Sequence, residues 1–391
     1  MRTEISEKIK YIGVDDTTLD LFESQYVVPD GVSYNSYVIL DEKVAVIDTA
    51  DERMEKEWLE KLCNELNGRE VDYLIIQHLE PDHTGGILHL LEIYPEMTLV
   101  GNQKTFLFLS QFLTNIEGGL ESVKKLVVKE KDVLCLGEHT LYFFMAAMVH
   151  WPEVLVTYES TERILFSADA FGKFGALEIT AEDDWACEAR RYYFNIVGKY
   201  GIAVQALLTK MKDLRIEKIC PAHGPILTQP LEKYMNLYDV WSRYEPESNG
   251  VLIVFGSFHG NSKHAAEYLA GRLVERGFSE VVLRDAARDD MAEIIEDAFR
   301  YDRMILVASS YEGAVFPQIN DLLYRLRSKG YQKRKVAIVE NGTWSPSAGR
   351  VIRETLEGMK SIEIVEPMVT IYSVMNDCNK KELNILADEM I

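Results

Sequence analysis

From residue 251 onward the chain alternates short apolar runs with helical patterns, and few folds accept such a grammar. Residues 251–255 (VLIVF) are apolar throughout, and residues 262–276 carry a helical period. A second run follows at 281–284 and a third at 304–308, with a helix over 318–329 after it. The fourth is 336–340, and another helix starts near Pro346. Short strands buried on both faces and separated by helices predict a doubly wound parallel sheet. Ligands of such sheets bind beyond the carboxyl ends of the strands.

Ahead of the polar, turn-forming segment 244–250 (YEPESNG) the pattern changes. Strand-like runs at 36–40, 44–48, 73–77, 141–146 and 164–167 dominate, with helical patterns at 104–113 and 185–197. That mixture predicts a β-rich layered domain with helices outside. At 391 residues the chain exceeds what one core usually supports. The expected division is residues 1–249 and 250–391, with no internal repeat in either part.

A net charge of −21 argues against a surface that tracks phosphates, and so against nucleic-acid binding. The first residues, MRTEISEKIK, are charged and do not resemble a signal peptide. No uninterrupted apolar run is long enough to cross a membrane, and the expected location is cytoplasmic. The five cysteines (Cys63, Cys135, Cys187, Cys220, Cys378) are scattered and never spaced Cys-x-x-Cys. This excludes a zinc ribbon or a rubredoxin-type iron site within the sequence. All five are expected to be buried small hydrophobes.

The chemistry concentrates in His78-Leu-Glu-Pro-Asp-His83, which is followed by Thr-Gly-Gly. Four potential ligands in six residues, at the end of an apolar strand, predict a metal site. Alternation along an extended segment places His78, Glu80 and Asp82 on one side, with a turn at Pro81 presenting His83. Further ligand types follow at strand ends: His150, Asp169 and His223, the last within Cys220-Pro-Ala-His-Gly-Pro225. The other four histidines (His89, His139, His259, His264) lie off this pattern and are expected at the surface or in packing. With Glu80, Asp82 and Asp169 the site supplies three negative charges. Two ferrous ions carry +4 and two ferric ions +6, so hard carboxylate oxygens favour iron that changes oxidation state.

A run His-x-His-x-Asp-His would resemble the zinc motif of the metallo-β-lactamase superfamily; here Glu80 stands for the second histidine. The set His-x-Glu-x-Asp-His, a later His, a later Asp and a final His resembles the flavodiiron proteins. The resemblance extends over essentially the whole chain, including Ser33-Tyr-Asn-Ser-Tyr37, His150-Trp-Pro152 and Arg190-Arg-Tyr-Tyr193. It implies an α/β architecture: an N-terminal metallo-β-lactamase-like αββα sandwich and a C-terminal flavodoxin-like domain, without a rubredoxin extension. It also implies that His78, Glu80 and His150 hold one iron, that Asp82, His83 and His223 hold the other, and that Asp169 bridges them.

In the second half, Gly256-Ser-Phe-His-Gly-Asn-Ser262 joins the first strand to its helix. Small and hydroxyl residues there can wrap a phosphate with backbone N–H groups at a positive helix end. The segment resembles the family's FMN phosphate loop, which assigns Ser257, Phe258, His259, Gly260, Asn261 and Ser262 to the flavin. Two later strand ends match the loops that hold the isoalloxazine ring. They contribute Ser309, Ser310, Tyr311, Glu312 and Gly313, then Asn341, Gly342, Thr343 and Trp344. Trp344 covers the ring, packs at a subunit interface, or is simply buried at the surface. Glu312 beside the ring would disfavour the anionic reduced flavin and lower its potential.

The resemblance implies reduction of dioxygen to water, of nitric oxide to nitrous oxide, or both, at the iron pair, with electrons passed through FMN from a rubredoxin-like donor. It also implies a head-to-tail homodimer, or a dimer of such dimers. Tyr193 is either a hydrogen-bond donor to the bound diatomic or a core residue of an amphipathic helix. The alternative function is a metal-dependent hydrolase with a flavodoxin appendage. Preference between the two gases is not legible in one sequence.

Overall fold

The computed structural model describes residues 5–112, 119–180 and 185–391. Contacts divide the chain into two compact units, Met1–Asp239 and Val240–Ile391, ahead of the polar turn at 244–250.

The first unit is built on two six-stranded sheets. One runs in the order Ile9–Tyr11, Tyr37–Leu40, Val44–Ile47, Tyr73–Ile75, Thr98–Gly101, Lys124–Val127. The other runs Val133–Cys135, Thr140–Met145, Leu155–Glu159, Ile164–Phe166, Lys218–Cys220, Leu227–Thr228. Their inner faces form one core, in which Ile39, Ile47, Ile75 and Val100 pack with Phe143, Leu155, Phe166 and Cys220. Burying both apolar faces against each other is what holds two such sheets together.

Register positions the site. Ile47 pairs Ile75 in parallel, and Phe166 pairs Cys220 in parallel. His78, Asp169 and His223 each come three residues after one of these paired positions, so the parallel pairing delivers them to one end of the sheets.

The second unit has one parallel sheet in the order Val281–Asp285, Ser248–Gly256, Tyr301–Tyr311, Arg334–Asn341, Ile362–Ile371. In chain order this reads 2-1-3-4-5, the flavodoxin-like winding, in which the order reverses between the first and third strands. Its core pairs Val251, Ile253, Ile305 and Val339 with Ala266 and Leu269 of the helix Asn261–Glu275.

Several expectations need correction. The helix expected over 185–197 is α-helical only at Trp185–Tyr192 and continues as a π turn over Tyr193–Val197. Alternation past His78 stops at Glu80, because Pro81–His83 form a 3-10 turn that buries both Asp82 and His83. Leu113, expected to end a helix, lies outside the described residues; the helix spans Gln103–Phe112. Only Cys220 among the cysteines is buried. Cys63 lies one step off the face of its helix that buries Trp58, Leu62 and Leu66. Cys135 points outward on a strand whose alternation buries Leu134, and Cys378 sits in the first turn of the helix Asp377–Glu389.

Candidate dinuclear metal site and flavin pocket

Strand ends deliver the polar side chains, and local contacts fix them. The carbonyl of His83 accepts from the Thr49 hydroxyl at 2.8 Å and the Thr49 N–H at 3.0 Å. Gly85 follows because a Cβ there would stand 2.3 Å from the Glu52 nitrogen. Leu79, between the candidate ligands His78 and Glu80, donates its N–H to the buried carboxylate of Glu153 at 3.0 Å.

The seven residues singled out in the sequence converge. Asp82 Oδ2 lies 3.5 Å from His83 Nε2 and 3.4 Å from His223 Nε2, and those two nitrogens stand 3.1 Å apart. On the other side, His150 Nε2 is 2.9 Å from Glu80 Oε2, and His78 Nε2 is 3.9 Å from the same oxygen. Asp169 lies between the two groups. Its Oδ2 is 3.4 Å from both His78 and His150, whereas its Oδ1 faces His223 at 3.8 Å.

Burial makes this arrangement costly without a cation. His78, Asp169 and His223 are fully buried, and Asp82 and His83 nearly so. Among the described residues, both ring nitrogens of His78 and both carboxylate oxygens of Asp82 and Asp169 have no hydrogen-bond partner. Orphaned buried polar atoms cost on the order of 1–3 kcal/mol each, more when charged. Metal ions at the two convergence points would satisfy them, so the residues present fit a metal pair.

The proton equilibria point the same way. Burial, with Asp82 adding to it, pushes the Glu80 carboxyl up to about 8. Burial opposes a proton on His150, yet Glu80 and Asp169 outweigh it and raise that imidazole. Burial holds His83 neutral, its value lowered to about 3, which leaves a lone pair for a metal.

The segment Ser33–Tyr37 is the support of the His223 loop. His223 Nδ1 donates to the Ser33 carbonyl at 2.7 Å, which turns Nε2 toward the site. Asn35 Nδ2 donates to the carbonyls of Pro221 and Gly224 at 2.8 and 2.7 Å, and the Tyr37 hydroxyl donates to Pro221 at 2.7 Å. Residue pattern alone gives this segment no role, because the hydrogen bonds that define it form only in the fold.

Tyr193 and its neighbour part company. The buried Tyr193 ring packs edge-on against Phe194 and Tyr238, both at 5.1 Å. Tyr192 is the one of the two whose ring approaches His223, at 5.6 Å, and burial with the Asp169 and Glu80 charges raises its phenol. The π turn that starts at Tyr193 is an insertion of the kind often found near functional sites.

In the second unit a pocket of about 530 Å³ opens at the carboxyl ends of the first, third and fourth strands in chain order. Fourteen of the fifteen residues assigned to the flavin line it, with Ser345, Ser347 and Ser373 in addition. The fifteenth, Gly260, caps the helix Asn261–Glu275 with φ +90° and donates its N–H to Ser257 Oγ at 3.1 Å. Ser262 and Ser309 hydroxyls meet at 2.9 Å, and Ser310 Oγ accepts from the N–H of Ser347 at 2.8 Å. Trp344 is 89% exposed, so its indole is free to lie over a bound ring or against another surface. A helix start, serine hydroxyls and a volume within the usual range for a cofactor site fit a phosphorylated flavin.

Residues 32–224 match the family model described as ODP family beta lactamase. The chain is 26% identical over 94% of its length to a putative diflavin flavoprotein A 1 from Nostoc sp., of which it spans 63%. It is 26% identical over 89% of its length to an anaerobic nitric oxide reductase flavorubredoxin from Escherichia coli, covering 74% of that protein. The solved structure of rubredoxin oxygen:oxidoreductase from Desulfovibrio gigas superposes with a TM-score of 0.92 at 24% identity. That match covers 99% of this chain and 97% of the other.

Proposed function

We propose, for a chain that belongs to the flavodiiron proteins, that it is an oxidoreductase acting on a small diatomic gas, dioxygen or nitric oxide. Its cofactors are FMN and a non-haem iron pair. The observation that carries the reading is Asp169, whose two oxygens face different histidine groups. His78, Glu80 and His150 would hold one iron, and Asp82, His83 and His223 the other, with Asp169 common to both. Ser257 to Ser262, Ser309 to Gly313 and Asn341 to Trp344 would hold the flavin.

When bound, the iron pair and the flavin each store two electrons, enough to reduce dioxygen to water without releasing partly reduced species. The protein's own part is to bind and orient. Ser33 and Asn35 fix the His223 ring, Thr49 fixes His83, and the rings of Phe22 and Tyr34 close around His223. The hard carboxylate of Glu80 lowers the electrostatic cost of the oxidised metals.

The electron donor is a small iron–sulfur unit of the rubredoxin kind, and the sequence itself holds no Cys-x-x-Cys. The working form is a head-to-tail homodimer, alone or paired. Among the described residues no helix is long and apolar enough to cross a membrane. Parallel gas-electrode assays with reduced rubredoxin test the reading: consumption of either gas, lost in His150→Ala, supports it. No consumption of either by iron- and FMN-loaded protein rejects it.

A further inference from the structure

We propose that Glu23 is an additional, exchangeable carboxylate ligand of the metal held by His78, Glu80 and His150, capping that metal until an incoming small ligand displaces it. This rests on the dinuclear reading of the site and goes beyond its seven ligands.

Glu23 follows Phe22 in the hairpin formed by Leu21–Phe22 and Tyr26–Val27. Phe22 stands edge-on to His223 at 5.5 Å, which anchors the hairpin over one half of the site. At the other half, a Glu23 carboxylate oxygen, a Glu80 oxygen and a His150 nitrogen all lie within 4.8 Å of one another. One ion can therefore be reached by all three. The neighbouring atoms left unpartnered among the described residues, His78 Nε2 and Asp169 Oδ2, are fully buried and would be satisfied by that ion.

Backbone geometry adds a second argument. Glu23 has φ +48° and Ser24 φ +55°, the left-handed region that glycine and asparagine adopt with least strain. A glutamate is a poor choice for such a turn on local grounds. Strain of this kind is kept where the side chain has a use.

Charge and exposure explain why the ligand exchanges. Glu80, Asp82 and Asp169 supply three negative charges against +4 for two divalent ions, and Glu23 brings the sum to zero. Unlike Glu80 and His150 beside it, Glu23 is exposed, so its carboxylate regains water when it lets go. It also lines a cavity of about 330 Å³ together with Tyr34, Arg53, Glu80 and Asp82. Ligands arriving through that cavity meet Glu23 on the way to the metals.

The test uses the full chain loaded with two cobalt(II) ions, with azide as the incoming ligand and visible absorption as the readout. Glu23→Gly removes the carboxylate and suits the left-handed turn, so folding is preserved; Glu23→Asp keeps the charge on too short an arm. If Glu23 holds the position about nine-tenths of the time, azide affinity rises about tenfold in both variants. The cobalt bands intensify for one of the two ions as its coordination number falls. Two cobalt ions in every protein, with azide affinity and bands unchanged from the parent, would overturn the Glu23 assignment alone. Failure of the parent to hold two ions would overturn both it and the dinuclear reading.

Discussion

His83 Nε2 and His223 Nε2 face each other 3.1 Å apart in the interior of the first unit. The Ser33 carbonyl already takes the Nδ1 proton of His223, and burial keeps His83 neutral. Two lone pairs aimed at one point need a proton or a cation between them. His223→Ala should therefore reduce metal content from two ions per chain toward one, because Asp82 and His83 alone make a weak site. Elemental analysis of the purified variant checks this; retention of two ions would contradict it.

Asn35 touches no metal-facing atom, yet it ties Pro221 and Gly224 on either side of His223. Removing such outer support typically lowers metal affinity about 10–100-fold. Asn35→Ala is expected to fall in that range in a chelator competition, with the parent's secondary structure.

Tyr192 and Tyr193 separate two roles that the sequence left open. Tyr192→Phe should change gas turnover, since it removes a phenol whose proton burial and the Asp169, Glu80 and Asp82 charges hold in place. Tyr193→Phe tests the hydrogen-bond role expected for Tyr193: unchanged activity toward both gases leaves it a packing residue against Tyr238. Initial rates for both variants decide between these readings.

Asp41 and His139 form a buried pair away from the metals, with Asp41 Oδ2 2.8 Å from His139 Nδ1. Burial opposes charge on both. Hydrogen bonds from His139 and the Glu42 N–H outweigh it and lower Asp41 to about 2, while Asp41 and Glu162 raise His139. Asp41 stabilises the fold above its ordinary value of 3.8 and ceases to do so as pH falls toward 2. His139 contributes below its ordinary value of 6.5 and loses that contribution as pH rises through its raised value. The destabilisation of Asp41→Asn, on the order of 1–3 kcal/mol, should be largest between those two ordinary values and shrink on either side. Denaturant titrations across that range measure it.

The candidate metal-holding residues stood out because ligand types fall just past strands, as His78 past Tyr73–Ile75, Asp169 past Ile164–Phe166 and His223 past Lys218–Cys220. The supporting layer did not, since a serine carbonyl holding an imidazole leaves no mark on residue pattern. The strand Ile362–Ile371 leaves little mark on residue pattern for a physical reason: among the described residues it pairs with Arg334–Asn341 alone, an edge position that tolerates Glu363, Glu366 and Pro367. Exposed Cys63 and Cys135 show the converse. A small residue next to buried neighbours looks like core until the helix or strand phase is known.

If one chain binds both a redox iron pair and a flavin, anaerobic reductive titration of the oxidised, loaded protein will count the electrons of each. Four electrons are expected to be taken up per chain, two by FMN and two by the irons, with the flavin bands bleaching over part of the titration. Uptake of two electrons per chain, all of it at the flavin, would contradict a redox iron pair and would favour a metal-dependent hydrolase with a flavodoxin appendage.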